Sequence, residues 1–183
     1  MRVFNKTDIV SGKSIYLRAA TRADAGFVFE MRSNASKSVY LNQIQGTTAD
    51  QEAWLDKSYA DPYQFYFVIS SLDGEPLGLV RLYDQQGDSF CWGSWLIRAG
   101  APSSTAIESA LLVYQFALEQ GFTRSHFDVR IGNDSVINFH QKFGAVETSR
   151  TDKDIYFTIA EEAIRQSMQK FRKFLQAAGG AGR

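Results

Sequence analysis

The apolar residues of this chain fall into short β-rich runs and longer stretches with helical spacing, separated by polar punctuation. SIYLRAA (Ser14–Ala20) mixes aromatic and β-branched residues and predicts a strand. In TRADAGFVFEMRSN, Thr21 and Asp24 stand as a capping-box pair, with Phe27, Val28 and Met31 as an apolar face. A second helix is expected near Thr48, with Gln51 three residues on and Trp54, Leu55 and Tyr59 as its buried side. The polar stretch RSNASKSVYLNQIQGT between the two reads as a loop. Three β-rich runs follow: QFYFVIS (Gln64–Ser70), PLGLVRLYD (Pro76–Asp84) and SFCWGSWLI (Ser89–Ile97). The turns LDGE and QQGD separate them, which predicts an antiparallel meander.

Beyond RAGAPSST, the residues Ile107, Ala110, Leu111, Tyr114, Ala117 and Leu118 recur at helical spacing, and Gly121 supplies a stop. SHFDVRI predicts a strand, NDSVINFHQKFGA a short helix ending at Gly144, and AVETSR with DIYFTI a final strand pair. Thr158 and Glu161 frame the expected start of a last helix, in which Ile164, Met168, Phe171 and Leu175 form one stripe. The order is β-α-α-β-β-β-α-β-α-β-β plus a C-terminal helix, which implies a mixed α/β (α+β) sheet with helices on its faces. The first half is expected antiparallel. The strand–helix–strand segment from Ser89 to Ile131 is a right-handed crossover and should pair in parallel.

The length of 183 residues suggests one domain over 1–183, with a core of about 14–159, a C-terminal helix at 160–176 and a frayed tail at 177–183. A hydrophobic content of 44% is enough for a sizeable core. Lys+Arg and Asp+Glu both count 20, so no net charge favours nucleic acid, and no nucleic-acid partner is expected. Cys91 is the single cysteine, so neither an internal disulfide nor a cysteine-built zinc cluster can form, and no metal is expected. The start lacks an apolar run suited to a signal peptide, and no later run approaches a membrane span. The expectation is a cytoplasmic protein with no membrane partner.

Chemistry enters at NDSVINFHQKFGA. His140 is one of two histidines and sits seven residues, two turns, after Asn133 on the same helical face. Taken alone, Asn133 reads as an N-cap or a ligand contact, and His140 as a helix histidine with one hydrogen bond. Phe139 and Phe143 go with Val136 on the core side, and His126 reads as a surface or edge residue.

The element order, with Asn133, Val136, Ile137, Lys142 and Gly144 near its end, resembles the GNAT superfamily of acyl-CoA-dependent N-acyltransferases. The resemblance covers roughly Ser14 to Ile159. His140 takes the place of the family's late-helix Tyr, and Ala145 that of a Phe. The family's Gln/Arg-x-x-Gly-x-Gly/Ala signature meets RAGAPSST, where Arg98 matches but Ala101 and Ser103 stand at the glycine positions and Gly100 is displaced by one. The resemblance implies a central twisted, mostly antiparallel sheet with one splayed parallel pair. It also implies acetyl-CoA as co-substrate, held by Leu96, Ile97, Arg98, Ala101, Ser103, Ser104, Thr105 and Asn133. A loop feeding a helix N-terminus suits a pyrophosphate even without the glycines, since it presents unpaired N–H groups and the positive end of the helix dipole.

Acyl transfer from a thioester to an amine needs a neutral amine, a donor for the oxyanion and a proton for the leaving thiolate. The resemblance places His140 near the sulfur, as an acid if its pKa is held up or as a neutral N–H donor. No carboxylate stands out as base. Asp84 and Asp88 read as turn residues, and a water chain touching Ser94 is the expected substitute. Cys91, mid-strand, reads as a small core residue rather than a nucleophile.

The cleft for the acceptor would be lined by Arg32, Tyr40, Trp54, Tyr66, Arg81, Tyr83 and Trp92. Aromatics stack on sugar and base faces, and arginines pair with phosphates. That combination points to a small-molecule amine, a nucleotide-linked amino sugar, although Trp54, Tyr66 and Trp92 taken singly read first as core. The alternatives are a protein or peptide N-acetyltransferase of the ribosomal-protein type and a non-catalytic CoA-binding module. The stripe on the last helix can pack on its own sheet or make a homodimer.

Overall fold

The structure, a computed structural model, describes residues 1–33 and 46–175. Its eight strands are β1 (Val10–Ser11), β2 (Ile15–Ala19), β3 (Phe65–Ser71), β4 (Pro76–Gln86), β5 (Ser89–Ile97), β6 (Arg124–Arg130), β7 (Val146–Arg150) and β8 (Asp154–Ala160). They form one sheet in the order β1-β2-β3-β4-β5-β6-β8-β7. The described helices are α1 (Ala25–Ser33), α2 (Thr48–Ala60), α3 (Thr105–Glu119), α4 (Asp134–Lys142) and α5 (Glu161–Lys170). None of them is long and apolar enough to cross a membrane.

Every strand pair is antiparallel except β5 with β6, which the α3 crossover makes parallel, as the sequence predicts. Strand alternation sends Phe65, Phe67, Val80 and Leu82 to one face and Tyr66, Val68 and Leu79 to the other. The first face packs against α3, where Leu111, Leu112, Tyr114 and Phe116 are buried. The second packs against Val28 and Met31 of α1 and Leu55 of α2. Glu108 of α3 is itself buried, and its carboxylate accepts the N–H of Ser14 at 2.7 Å and that of Ile15 at 3.3 Å, tying the β1–β2 turn to the helix.

Three local expectations are corrected. The cap of α2 is Thr47 with Asp50, in a reciprocal box one residue ahead of Thr48 and Gln51. The buried stripe is accordingly Gln51, Leu55 and Ser58. Trp54 is partly buried, and Tyr59, a residue past the stripe, is 40% exposed. At the last helix, Thr158 remains in β8 and donates to the Ser125 carbonyl at 3.2 Å, so the N-cap is Ala160. The stripe of α5 lies on its own core: Ile164 is buried, and Phe171 stacks on Phe143 at 5.2 Å.

Candidate active site

The parallel pairing of β5 and β6 covers Ser89, Phe90 and Cys91 against Arg124, Ser125 and His126. Beyond it the strands part. The register of β4 with β5 shows one cause: Leu79 faces Leu96 but Arg81 faces Gly93, so Val80 alone opposes both Ser94 and Trp95. That is a β-bulge, which bends a strand and raises its twist. Ser94 sits in it at φ 49°, a left-handed conformation unusual for a residue with a side chain. The gap is a cavity of about 200 Å³ lined from β5 by Trp92, Gly93, Ser94 and Trp95, and from β6 by Phe127, Asp128, Val129 and Arg130. Arg32 of α1, Tyr83 of β4, Asp154 of β8, and Asn133, Val136 and His140 of the α4 segment complete it.

Asn133 and His140 therefore share both a helix face and a cavity, as their spacing predicts. Asn133 occupies the N-cap position without a side-chain cap bond; its side chain accepts from Ser135 Oγ at 3.4 Å. His140 is 5% exposed and boxed by aromatic rings: Phe127 at 4.2 Å, Trp92 at 5.0 Å, Phe139 at 5.8 Å and Trp95 at 6.3 Å between centres. Its Nδ1 is buried without a hydrogen-bond partner. Burial pushes the imidazole down to about 3, so it is neutral near pH 7 and carries one N–H.

Of the residues expected to line the acceptor cleft, Arg32, Tyr83 and Trp92 line the cavity. Trp92 also donates its indole N–H to Tyr114 at 3.2 Å and is 3% exposed. Arg81 and Trp54 stand just behind: the Arg81 guanidinium lies 4.7 Å from the Tyr83 ring and 5.5 Å from the Trp54 ring, and its Nε donates to Gln64 at 2.7 Å. Tyr66, edge-on to Trp54 at 5.3 Å, belongs to the second core cluster. Tyr40 lies outside the described residues. Burial pushes the Cys91 thiol up to about 12, consistent with a core role.

The other residues expected to hold a coenzyme follow the bulge and stand off the cavity wall. Leu96 is buried in the second core cluster and Ile97 ends β5. Arg98 pairs with Glu75 at 3.0 Å, and its carbonyl accepts the Ala101 N–H at 3.2 Å across a turn in which Gly100 has φ 84°. Ser103 leads into Ser104, the N-cap of α3, which makes no side-chain cap bond. Thr105, the first helical residue, is fully buried with Oγ1 unpartnered. The helix N-terminus that an anion needs is thus present, with the glycine freedom moved to residue 100.

Sequence reasoning missed Trp95, Asp128, Arg130 and Asp154. The signal was the alternation in SHFDVRI, which puts His126, Asp128 and Arg130 on one face of a strand. His126 is corrected as well. β6 is an inner strand, and the ring sits 2.7 Å from Ser89 Oγ and 3.2 Å from Asp84. Asp88, paired with Arg124 at 2.5 Å, is a turn residue as expected, whereas Asp84 lies within β4, at φ 46° in a second register shift between Tyr83 and Gln86.

The comparisons agree with this architecture. A family profile described as an acetyltransferase (GNAT) domain matches residues 14–146, and the chain belongs to the GNAT acetyltransferases. Among solved structures, the apo form of FdhC, a nucleotide-linked sugar GNAT, is 34% identical with a TM-score of 0.83, over 92% of this chain and 99% of that one. A GCN5-related N-acetyltransferase from Brucella melitensis shares the fold at 17% identity and TM-score 0.76, over 100% of this chain and 94% of that one. Spermidine N-acetyltransferase from Vibrio cholerae, in complex with CoA and spermine, does so at 20% and 0.70, over 83% and 98%. Direct sequence comparison with proteins of curated function finds no match.

Proposed function

We propose that this acetyltransferase moves an acetyl group from acetyl-CoA to the primary amine of a nucleotide-linked amino sugar. The observation that carries the reading is the likeness to a nucleotide-linked sugar GNAT at 34% identity across 92% of the chain. The cavity chemistry supports it. The Arg32 guanidinium can meet a phosphate, and Tyr83 offers a flat face to a ring. The thioester arm would run through the gap between β5 and β6, beside Asn133, with its pyrophosphate at Arg98–Thr105.

The amine attacks the thioester carbon directly. The C–N bond forms, the carbonyl pair becomes an oxyanion, and the C–S bond breaks as it collapses. His140 serves here as a neutral N–H donor aimed at the developing thiolate. The imidazolium acid is set aside because so low a pKa leaves no proton to give at pH 7.

The test is thiol release from acetyl-CoA against a panel of sugar nucleotides carrying amines, polyamines and basic peptides. Release with the amino-sugar nucleotides, at kcat/KM well above the others, is expected. Release with peptides or polyamines alone would overturn the acceptor assignment.

A further inference from the structure

The reaction needs a group that takes a proton from the incoming ammonium, and the geometry points to Asp128 as that base. This rests on the acetyl-transfer reading above. Asp128 projects from β6 into the cavity that also holds His140 and Ser94. The other groups there are committed or unsuited. Asp154 is held by Arg130 at 3.1 Å. The guanidiniums of Arg32 and Arg130 have no acceptor atom. The buried His140 imidazole is too weak a base. Tyr83 is held protonated, chiefly by burial. Asp128 alone among the lining carboxylates makes no ion pair with a described residue.

Its surroundings suit the work. Partial burial and the neighbouring Asp154 charge raise its pKa, outweighing Arg130. The groups facing it are Tyr83 from β4, Cys91 from β5, Arg130 on its own strand, and from β8 both Asp154 and Tyr156, the latter the register partner of Asp128. Arg32 of α1 lines the same cavity. A carboxylate whose pKa is raised is a stronger proton acceptor than an ordinary surface Asp.

The step balances. The ammonium gives one proton to the Asp128 carboxylate, and the freed nitrogen pair forms the C–N bond. After collapse, the nitrogen's second proton goes to the thiolate, giving amide and free thiol. Asp128 then returns its proton to water, to which its side of the strand is exposed.

The experiment compares wild type, Asp128→Asn and Asp128→Glu with the best acceptor from the panel, reading kcat and KM from pH 5 to 9. Asparagine keeps the shape and removes the base. Its kcat should fall about 10²–10⁴-fold at every pH, with KM nearly unchanged. Glutamate, which keeps a carboxylate there, should restore part of kcat. An Asn variant whose kcat stays within threefold, or whose loss lies in KM, overturns the assignment while leaving acetyl transfer standing. A wild type that binds acetyl-CoA but releases thiol with no amine removes the acetyl-transfer reading and this one with it.

Discussion

The imidazole of His140 lies 5.0 Å from the Trp92 indole, centre to centre, and shares with it the wall of the cavity where β5 and β6 part. A polar ring packed among four aromatics is a costly arrangement, since Nδ1 has lost water and gained no partner. The prediction is that His140→Ala lowers kcat by roughly 100-fold, the scale of one lost donor to a developing charge. Acetyl-CoA affinity should change far less. Single-turnover kinetics and equilibrium binding check this, and an unchanged kcat would remove His140 from the chemistry.

The same burial makes stability depend on acid. The unfolded chain takes up a proton at this histidine near pH 6.5, while the native state refuses it until about 3. Between those values the unfolded state binds more protons, so stability is lost as pH falls. From pH 6.5 to 4.5, wild type should lose about 2 kcal/mol more than His140→Phe, which fills the aromatic box without titrating. Urea unfolding at the two pH values measures the difference. Equal losses would contradict it.

Gly144 closes α4 at φ 88°, and a Cβ there would meet Ala163 Cβ at 2.9 Å. Gly144→Ala should cost roughly 1–3 kcal/mol, from strain and overpacking together. Gly26, in α1, has open space around the built Cβ. Gly26→Ala should stabilise by about 0.5–1 kcal/mol through helix propensity. Thermal unfolding of both variants gives opposite signs if the helix ends are as described.

Ser94 separates conformation from chemistry. Its φ of 49° suits glycine, so Ser94→Gly should hold or gain up to about 1 kcal/mol of stability. If its hydroxyl relays protons along β5, kcat should still fall on the order of tenfold, less than for a residue that takes the proton itself. Denaturant unfolding beside steady-state kinetics distinguishes the two effects.

Much of this fold was legible because its punctuation is local. Asp73-Gly74 and Gly87-Asp88 announce the meander, and the Thr21–Asp24 box announces the first helix. Asn133 and His140 could be placed together because helical period fixes which residues share a face. What escaped depends on strand neighbours. The cavity exists because Val80 faces two residues of β5, and no local pattern marks that register shift. Asp128 and Arg130 alternate visibly with Phe127 and Val129. That their polar face opens on a cavity follows only once β5 and β6 are seen to pair and then part. His126 looked peripheral for the same reason, because the sheet order puts β6 inside, between β5 and β8.

The most direct test of the account is the melting temperature with and without acetyl-CoA, with free adenosine as control. At 100 times Kd, binding to the native state adds about 2.7 kcal/mol, a shift of roughly 5–10 °C at this chain length. The account predicts that shift for acetyl-CoA and none for adenosine. No shift up to millimolar acetyl-CoA would contradict it, leaving a GNAT fold whose cleft takes some other ligand.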